Sequence, residues 1–162
     1  MTRPRQPSSG AQFSDDRVYR YALWRGWNPS QPYVMFVGLN PSTADEEKDD
    51  PTIRREIGFC KSWGFGGLYK LNLFALQSTD PKLLKGHTDP VGPDNNRMLA
   101  TYAEASVWVV AAWGTQGALF GRDREVVELL GDSIRCLGLT QGGHPKHPLY
   151  LPRDTRSVRW DQ

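Results

Sequence analysis

The chain has 162 residues and a formal net charge of +2, which fits one folded domain and neither favours nor excludes nucleic acid as a partner. No apolar run approaches the ~20 residues that a transmembrane helix needs, and the N-terminus lacks the apolar stretch of a secretory signal. Length and composition therefore argue against an integral membrane protein. We expect a cytoplasmic protein with no membrane partner, most simply a monomer.

The first half of the chain alternates between strand and helix patterns. Residues 1–16 should form a flexible tail, and residues 17–162 a single α/β domain. An alternating stretch at 18–27 predicts a strand, and the turn N28-P-S-Q-P32 connects it to an apolar strand at 33–37. A hairpin should therefore open the domain. Residues 51–63 predict a helix that is capped by Asp50 and has Pro51 in its first turn.

The second half continues the alternation. Strands are predicted at 68–74, 106–113 and 134–138, and helices at 93–105 and 122–130. The strand at 106–113 is apolar on both faces, which is typical of a strand in the middle of a covered parallel sheet. The order of elements predicts an α/β fold with a mostly parallel sheet.

Polar residues follow each of the predicted parallel strands. Because the carboxyl ends of such strands meet at one edge of the sheet, we expect these residues to converge there: Asn40, Ser42, Thr43, Asn72, Thr115, Gln116, His144 and His147, with the flat surfaces of Trp113 and Tyr150. An amide offers a donor and an acceptor side by side, which suits a nucleobase edge, and it can also orient a water. Two alternatives stay open, since Asn40 could cap a turn and Asn72 could be a buried structural bridge.

The segment D45-E-E-K-D-D-P-T-I-R-R55 has a structural and a functional interpretation. It could be a solvated loop followed by a helix cap. Alternatively, Asp45 and Asp50 could bind Mg²⁺, or Asp45 could assist a water beside Asn40, while Arg54 and Arg55 bind a phosphate. We favour phosphate and expect no metal, because no further acidic cluster completes a metal site.

The strings VGLNPS, LYKLNLF, VVAAWGTQG and HPLYL resemble, in this order, the strand-end motifs of the uracil-DNA glycosylase superfamily. The resemblance implies a three-layer sandwich with a central, mostly parallel four-stranded sheet plus an N-terminal hairpin strand, and no cofactor. It gives Asn40 the water-positioning place, Asn72 the place that reads the base, and His147 with Pro148 the place of the late loop. The predicted catalytic residues are Asn40, His147 and Asp45, and the predicted substrate contacts are Gly38, Leu39, Pro41, Ser42, Asn72, Phe74, Trp113, Arg54, Arg55, Pro148 and Tyr150.

At closer range, residues 17–160 resemble an uncharacterised family of small bacterial and phage proteins, a domain of unknown function. The hallmarks are G38-L-N-P-S-T-A-D45, D49-D-P-T-I-R-R55, N72-L-F-A-L76, T79-D-P81, D89-P-V-G-P-D-N95, A111-A-W-G114 and H147-P-L-Y-L151. The chain departs from the glycosylases in S42-T-A-D45 and in Leu149 and Tyr150 after the His-Pro pair.

Three functions are compatible with these observations. The first is a hydrolase that cleaves the N-glycosidic bond of a flipped, modified or damaged base in single- or double-stranded DNA. The second is an enzyme acting on a free nucleotide or nucleoside. The third is a non-catalytic sensor of nucleic acid or nucleotides on the same fold. A steep loss of affinity with salt would favour the first over the second.

Overall fold

The computed structural model describes residues 9–161, in which seven strands form one sheet with helices on both faces. The strands are β1 (Ser9–Phe13), β2 (Arg20–Gly26), β3 (Tyr33–Gly38), β4 (Gly67–Asn72), β5 (Trp108–Ala111), β6 (Arg135–Cys136) and β7 (Val158–Arg159). The helices are α1 (Pro51–Ser62), α2 (Leu83–Gly86), α3 (Asn95–Glu104) and α4 (Arg122–Leu130), with a 3₁₀ segment (Thr115–Gly121) before α4. None of the helices in this part of the chain is long and apolar enough to cross a membrane.

The sheet is mixed and has the order β1-β2-β4-β3-β5-β6-β7. Strand β3 pairs in parallel with β4 and β5, and β5 pairs in parallel with β6. Antiparallel pairs extend the sheet on both sides: β1 with β2, β2 with β4, and β6 with β7. The predicted four-stranded, mostly parallel sheet is therefore wrong as a description of the whole sheet.

The predicted hairpin between β2 and β3 is also wrong. Strand β4 lies between β2 and β3, so these two consecutive strands do not pair. The antiparallel partner of β2 is β1, from Ser9 opposite Arg25 to Phe13 opposite Arg20. Residues 9–13, predicted as part of a flexible tail, thus form an edge strand. The rest of that tail up to residue 8 lies outside the described residues.

Alternate residues of β3 face different helices, as the pleat of a strand requires. Val34 and Phe36 pack in one apolar cluster with Ile53 and Phe59 of α1. Met35 and Val37 pack in a second cluster with residues of α3 and α4 (Met98, Leu99 and Val126). The helices therefore form a layer on each face of the sheet.

Helix α1 begins as the sequence predicts. The Asp50 carboxylate oxygen Oδ1 accepts a hydrogen bond from the backbone N–H of Ile53 at 2.9 Å, and Pro51 occupies the first turn. This helix connects β3 to β4 on one side, whereas β5 lies on the other side of β3. Ligand clefts in open α/β sheets form where the connections diverge in this way, at the carboxyl ends of the strands.

Candidate functional site

A cavity of about 370 Å³ opens at the carboxyl ends of β3, β4 and β5. This volume falls within the range of roughly 300–1,000 Å³ that is usual for small-molecule sites. The lining residues are Arg20, Gly38, Leu39, Asn40, Ser42, Asp50, Thr52, Ile53, Lys70, Asn72, Ser78, Thr79, Pro81, Trp113, Gly114, Thr115, Gln116 and His147. The structure thus brings together the ends of three parallel strands, the start of α1 and the late His-Pro loop.

Asn72 is the last residue of β4, and its side chain is only 1% exposed. Neither its Oδ1 nor its Nδ2 has a hydrogen-bond partner. A buried polar group without a partner costs about 1–3 kcal/mol. The amide therefore bridges nothing in the described protein, and a ligand in the cavity would supply the missing partners.

The backbone at the end of β4 is held by side chains from α3 and α4. Asn95 Nδ2 donates to the carbonyl oxygens of Asn72 and Leu73, each at 3.0 Å. Arg122 Nε donates to the same Leu73 oxygen at 2.8 Å. These contacts fix the strand end while they leave the Asn72 carboxamide unpaired, so this side chain is presented on a rigid support.

The absence of a side chain at Gly38 leaves space at the cavity floor for two side chains of β4. A Cβ on this residue would lie 2.7 Å from Lys70 Nζ and 2.8 Å from Asn72 Oδ1. Lys70 and Asn72 are two residues apart on β4 and so project from the same face of the sheet. Both side chains therefore extend across the end of β3 only because a glycine lies there.

Two cations line the inner part of the cavity. Lys70 Nζ donates to both carboxylate oxygens of Glu56, at 2.9 Å and 2.8 Å, and burial raises the pKa of that fully buried Glu56. Arg20 Nη1 donates to the Ala44 carbonyl at 3.0 Å, whereas its Nε has no partner. Burial lowers the pKa of Arg20 to about 10, which leaves the guanidinium charged at neutral pH.

Asp50 supplies the acidic group of the cavity. Among the described residues that line it, Asp50 alone carries a carboxylate. The side chain is 9% exposed, and its Oδ1 caps α1. No described residue forms an ion pair with it, so its second oxygen is available to a ligand or a water.

Part of the Asn40 amide forms hydrogen bonds with backbone groups and is therefore not available to a ligand. Its Nδ2 donates to the carbonyl oxygens of Pro41 at 3.2 Å, Leu76 at 3.3 Å and Ser78 at 3.0 Å. The turn-stabilising role that the sequence left open is thus present. The Oδ1 accepts no hydrogen bond from residues 9–161 and is the part of this amide that can serve a ligand.

His147 stands exposed at the edge of the cavity. Its Nδ1 accepts a hydrogen bond from the backbone N–H of Leu149 at 3.2 Å, so the proton of the neutral ring lies on Nε2. Loss of hydration, followed by the charge of Lys70, lowers the pKa of His147 to about 4. At neutral pH the ring is therefore an uncharged donor through Nε2.

Trp113 provides a flat apolar wall. The side chain is 2% exposed, and its Nε1 has no hydrogen-bond partner. Trp160 packs edge-on against it with 5.6 Å between ring centroids. Gly117 closes over the indole so tightly that a Cβ there would lie 2.1 Å from the ring. The wall is consequently fixed in position.

Three charged residues of the predicted site lie outside the cavity lining. The Asp45 oxygen Oδ1 accepts from the backbone N–H groups of Glu47 at 2.9 Å and Lys48 at 2.7 Å, and it therefore organises a turn. The Arg54 side chain is exposed, and the Arg55 guanidinium lies 5.8 Å from the centroid of the Phe59 ring. The cations that do line the cavity come from β2 and β4 instead of α1.

Four further residues of the predicted site are also absent from the lining. Phe74 is fully buried in the core, where it contacts Phe120 edge-on, and its position is one of packing. Pro41 and Pro148 are buried beside the cavity. Tyr150 is 96% exposed and does not line the cavity. The lining does include the predicted Gly38, Leu39, Asn40, Ser42, Asn72, Trp113 and His147.

Several residues that the structure brings to the cavity have no predicted role. Arg20 and Lys70 line it, and Asn95 and Arg122 support its floor. One signal was present for Lys70, because a charge in an apolar strand two residues before a buried Asn shares that residue's face. No group of three or more His, Cys, Asp or Glu side chains within residues 9–161 could hold a metal ion.

These features define an α/β protein with a polar, ligand-sized cavity at the switch point of its parallel strands. The family model described as "Protein of unknown function (DUF1643)" matches residues 20–149, and the chain belongs to this family. The predicted resemblance to an uncharacterised family is thereby confirmed, and every residue of the cavity lining falls within the matched segment. No curated protein and no solved structure matches the chain.

Proposed function

We propose that this protein hydrolyses the N-glycosidic bond of a modified or damaged base in DNA, with the base held in the cavity at the carboxyl edge of the sheet. The observation that carries the proposal is the Asn72 carboxamide, which is buried, unpartnered and fixed at the floor of that cavity. A donor and an acceptor on one planar group match the edge of a nucleobase. The burial cost of this amide is offset when a base pairs with it.

The surrounding side chains can hold the base, stabilise it as it departs and orient the attacking water. The indole of Trp113 offers a fixed apolar wall for the face of a planar base. His147 keeps a neutral ring with a proton on Nε2, and such a donor stabilises negative charge that develops on the departing base. The free Oδ1 of Asn40 accepts a hydrogen bond from the attacking water.

A DNA substrate fits the outer surface beside the cavity. A base must leave the stack to enter a pocket of this kind, and the exposed Tyr150 follows His147 on the same loop. Exposed basic residues flank these positions in the sequence, with Lys146 before them and Arg153 and Arg156 after them. Contacts of this type to phosphates position a duplex or single strand without reading its sequence.

A base-release assay tests the proposal. Oligonucleotides that carry uracil, mismatched bases, hypoxanthine, xanthine or hydroxymethylated bases, single- and double-stranded, are incubated with the protein and cleaved with alkali at abasic sites. We expect release of at least one base, with at least 10²-fold slower release by Asn72→Ala. The control is Asn28→Ala, which alters a turn amide that does not line the cavity. Folded wild-type protein that releases no base from the panel would contradict the proposal.

A second candidate function is hydrolysis or recognition of a free nucleotide. The observation in its favour is Arg20, a buried cation that lines the cavity and forms no ion pair with a described residue. A guanidinium in that position fits a phosphate. Thermal shifts with mononucleotides and nucleosides separate the two candidates. A phosphate-dependent shift that salt weakens only slightly favours the nucleotide, whereas steep salt dependence of oligonucleotide binding favours DNA.

A further inference from the structure

We infer that Asp50 is the general base of this site, the group that takes a proton from the attacking water. The inference rests on the proposed N-glycosidic hydrolysis and adds a catalytic residue that the glycosylase resemblance does not supply. Asp50 carries the one carboxylate among the described residues of the cavity lining. Its Oδ1 is held by the backbone N–H of Ile53 at 2.9 Å, which fixes the group and leaves the second oxygen for a water.

The predicted water-positioning residue cannot take up the proton. Asn40 carries an amide, which is not basic at neutral pH, and its Nδ2 is engaged with the carbonyl oxygens of Pro41, Leu76 and Ser78. It can orient a water through Oδ1 but cannot accept the proton. Asp45, the other predicted acid, holds a turn outside the cavity.

Asp50 shares its cavity with the groups that would bind the leaving base. The Asp50 carboxylate, the Arg20 guanidinium and the His147 ring all line this cavity. The unpartnered Asn72 amide in the same cavity is an independent indication that a ligand binds there. The other charged groups around Asp50 are Glu56 of α1, whose pKa is raised by burial and further by the Asp50 charge, and Lys70 of β4, which lines the same cavity and pairs with Glu56.

The step balances with water as the only co-reactant. Water oxygen bonds to the anomeric carbon of the sugar, and the bond from that carbon to the base nitrogen breaks, with its electron pair remaining on the base. The Asp50 carboxylate takes the water proton, and His147 Nε2–H donates a hydrogen bond to the base anion. The proton then passes from Asp50 through solvent to the base. The carboxylate also attracts the positive charge that builds on the sugar.

The first test is Asp50→Asn in the base-release assay. Asparagine is as good a helix cap as aspartate, so the helix keeps its cap and the protein loses only the negative charge and the basic oxygen. We expect the release rate to fall by roughly 10²–10⁴-fold, the usual contribution of a general base, with a melting temperature close to that of the wild type.

Glu47→Gln is the matched control, because it removes an exposed carboxylate of the same loop that does not line the cavity. We expect wild-type release from this variant. Wild-type release from Asp50→Asn would overturn the role of Asp50 and leave the proposed function standing. No release by the folded wild-type protein would overturn the proposed function itself, and the role of Asp50 with it.

A binding measurement separates catalysis from a structural role. Oligonucleotides with a cationic pyrrolidine abasic analogue mimic the charge on the sugar, and those with a neutral tetrahydrofuran analogue do not. Wild-type protein should bind the cationic analogue at least ten-fold more tightly than Asp50→Asn does, and both proteins should bind the neutral analogue equally. An equal preference for the cation in both proteins would contradict the inference.

Discussion

At the scale of single residues, the buried Asn72 amide is the feature on which the candidate site depends. Its place in an apolar strand made it a candidate from the sequence, since a buried amide needs partners. The sequence could not distinguish a ligand contact from a structural bridge, because the partner of a side chain is a property of the folded packing. The same limit applies to Asn40, which turns out to hold a loop through Nδ2.

The stability of the protein should depend on pH through His147. Its pKa falls from 6.5 in an ordinary ring to about 4, so the unfolded chain takes up a proton first as the pH drops. The stability that the neutral ring contributes is complete above about pH 6.5 and is lost as the pH falls towards 4. Urea unfolding between pH 7 and 4 should show a smaller loss for His147→Gln than for the wild type.

The loss of stability at low pH will be smaller than the pKa shift of His147 alone implies, because this side chain is exposed to solvent. The matched control is His144→Gln in the same loop, which removes a ring that does not line the cavity. A pH dependence that is identical in the wild type and His147→Gln would contradict this prediction.

A methyl group at Gly38 should disturb the cavity floor. A Cβ there would collide with Lys70 Nζ and Asn72 Oδ1, and overpacking of this kind typically costs about 1–3 kcal/mol. We expect Gly38→Ala to lower the free energy of unfolding by this amount and to weaken ligand binding at the same time. The control is Gly58→Ala in α1, where a Cβ meets no atom within 4 Å.

Gly58→Ala should raise the stability by roughly 0.5–1 kcal/mol, because alanine is the better helix former. Both changes are read from urea titrations of the two variants and the wild type. Equal stability of Gly38→Ala and the wild type would show that the floor can adapt and would remove the argument for a required glycine.

At the scale of elements, local signals predicted the three longer helices well, missed the short helix α2, and predicted the strand partners poorly. Asp50 and Pro51 mark the start of α1, and the helix begins there. The pairing of β2 with β1 and β4 depends on contacts that no local pattern encodes, so the predicted β2–β3 hairpin is wrong. The predicted strand at 134–138 contains β6, whereas β7 has only two residues, too few for an alternating pattern to identify.

The ion pair between α1 and β4 offers a test at this scale. Glu56 and Lys70 are buried, with both carboxylate oxygens within 3 Å of the ammonium. Breaking a buried pair on one side leaves an uncompensated charge and costs about 3–5 kcal/mol, whereas replacing both partners by apolar residues is often neutral. We therefore expect Glu56→Gln to destabilise strongly and Glu56→Leu with Lys70→Met to regain most of the stability.

Urea unfolding of Glu56→Leu, Lys70→Met and the double variant gives the coupling energy. If Glu56→Gln costs less than about 1 kcal/mol, the pair is not the strong contact described here. The double variant has a second use, since it removes an ammonium from the cavity without loosening α1. Lower ligand affinity in a stable double variant would assign Lys70 a binding role.

At the scale of the whole molecule, one general rule predicted the location of the cavity. Strand ends in a parallel arrangement converge at one edge, and the ends of β3, β4 and β5 do line a common cavity. Arg20 could not be anticipated, because it reaches the cavity from an antiparallel strand whose position in the sheet was predicted wrongly. The matched family segment spans β2 to β6 and contains the complete lining.

The most direct measurement is an NMR titration of the Asn72 side-chain amide with free bases. The Nδ2 resonances are assigned by their loss in Asn72→Asp, and uracil, hypoxanthine and xanthine are added in turn. We expect one of these bases to shift the Asn72 resonances in a saturable way, while the Asn28 amide, which does not line the cavity, stays unchanged. If no base moves the Asn72 amide, or if the shifts occur only at residues away from the cavity, the cavity does not hold a base through Asn72.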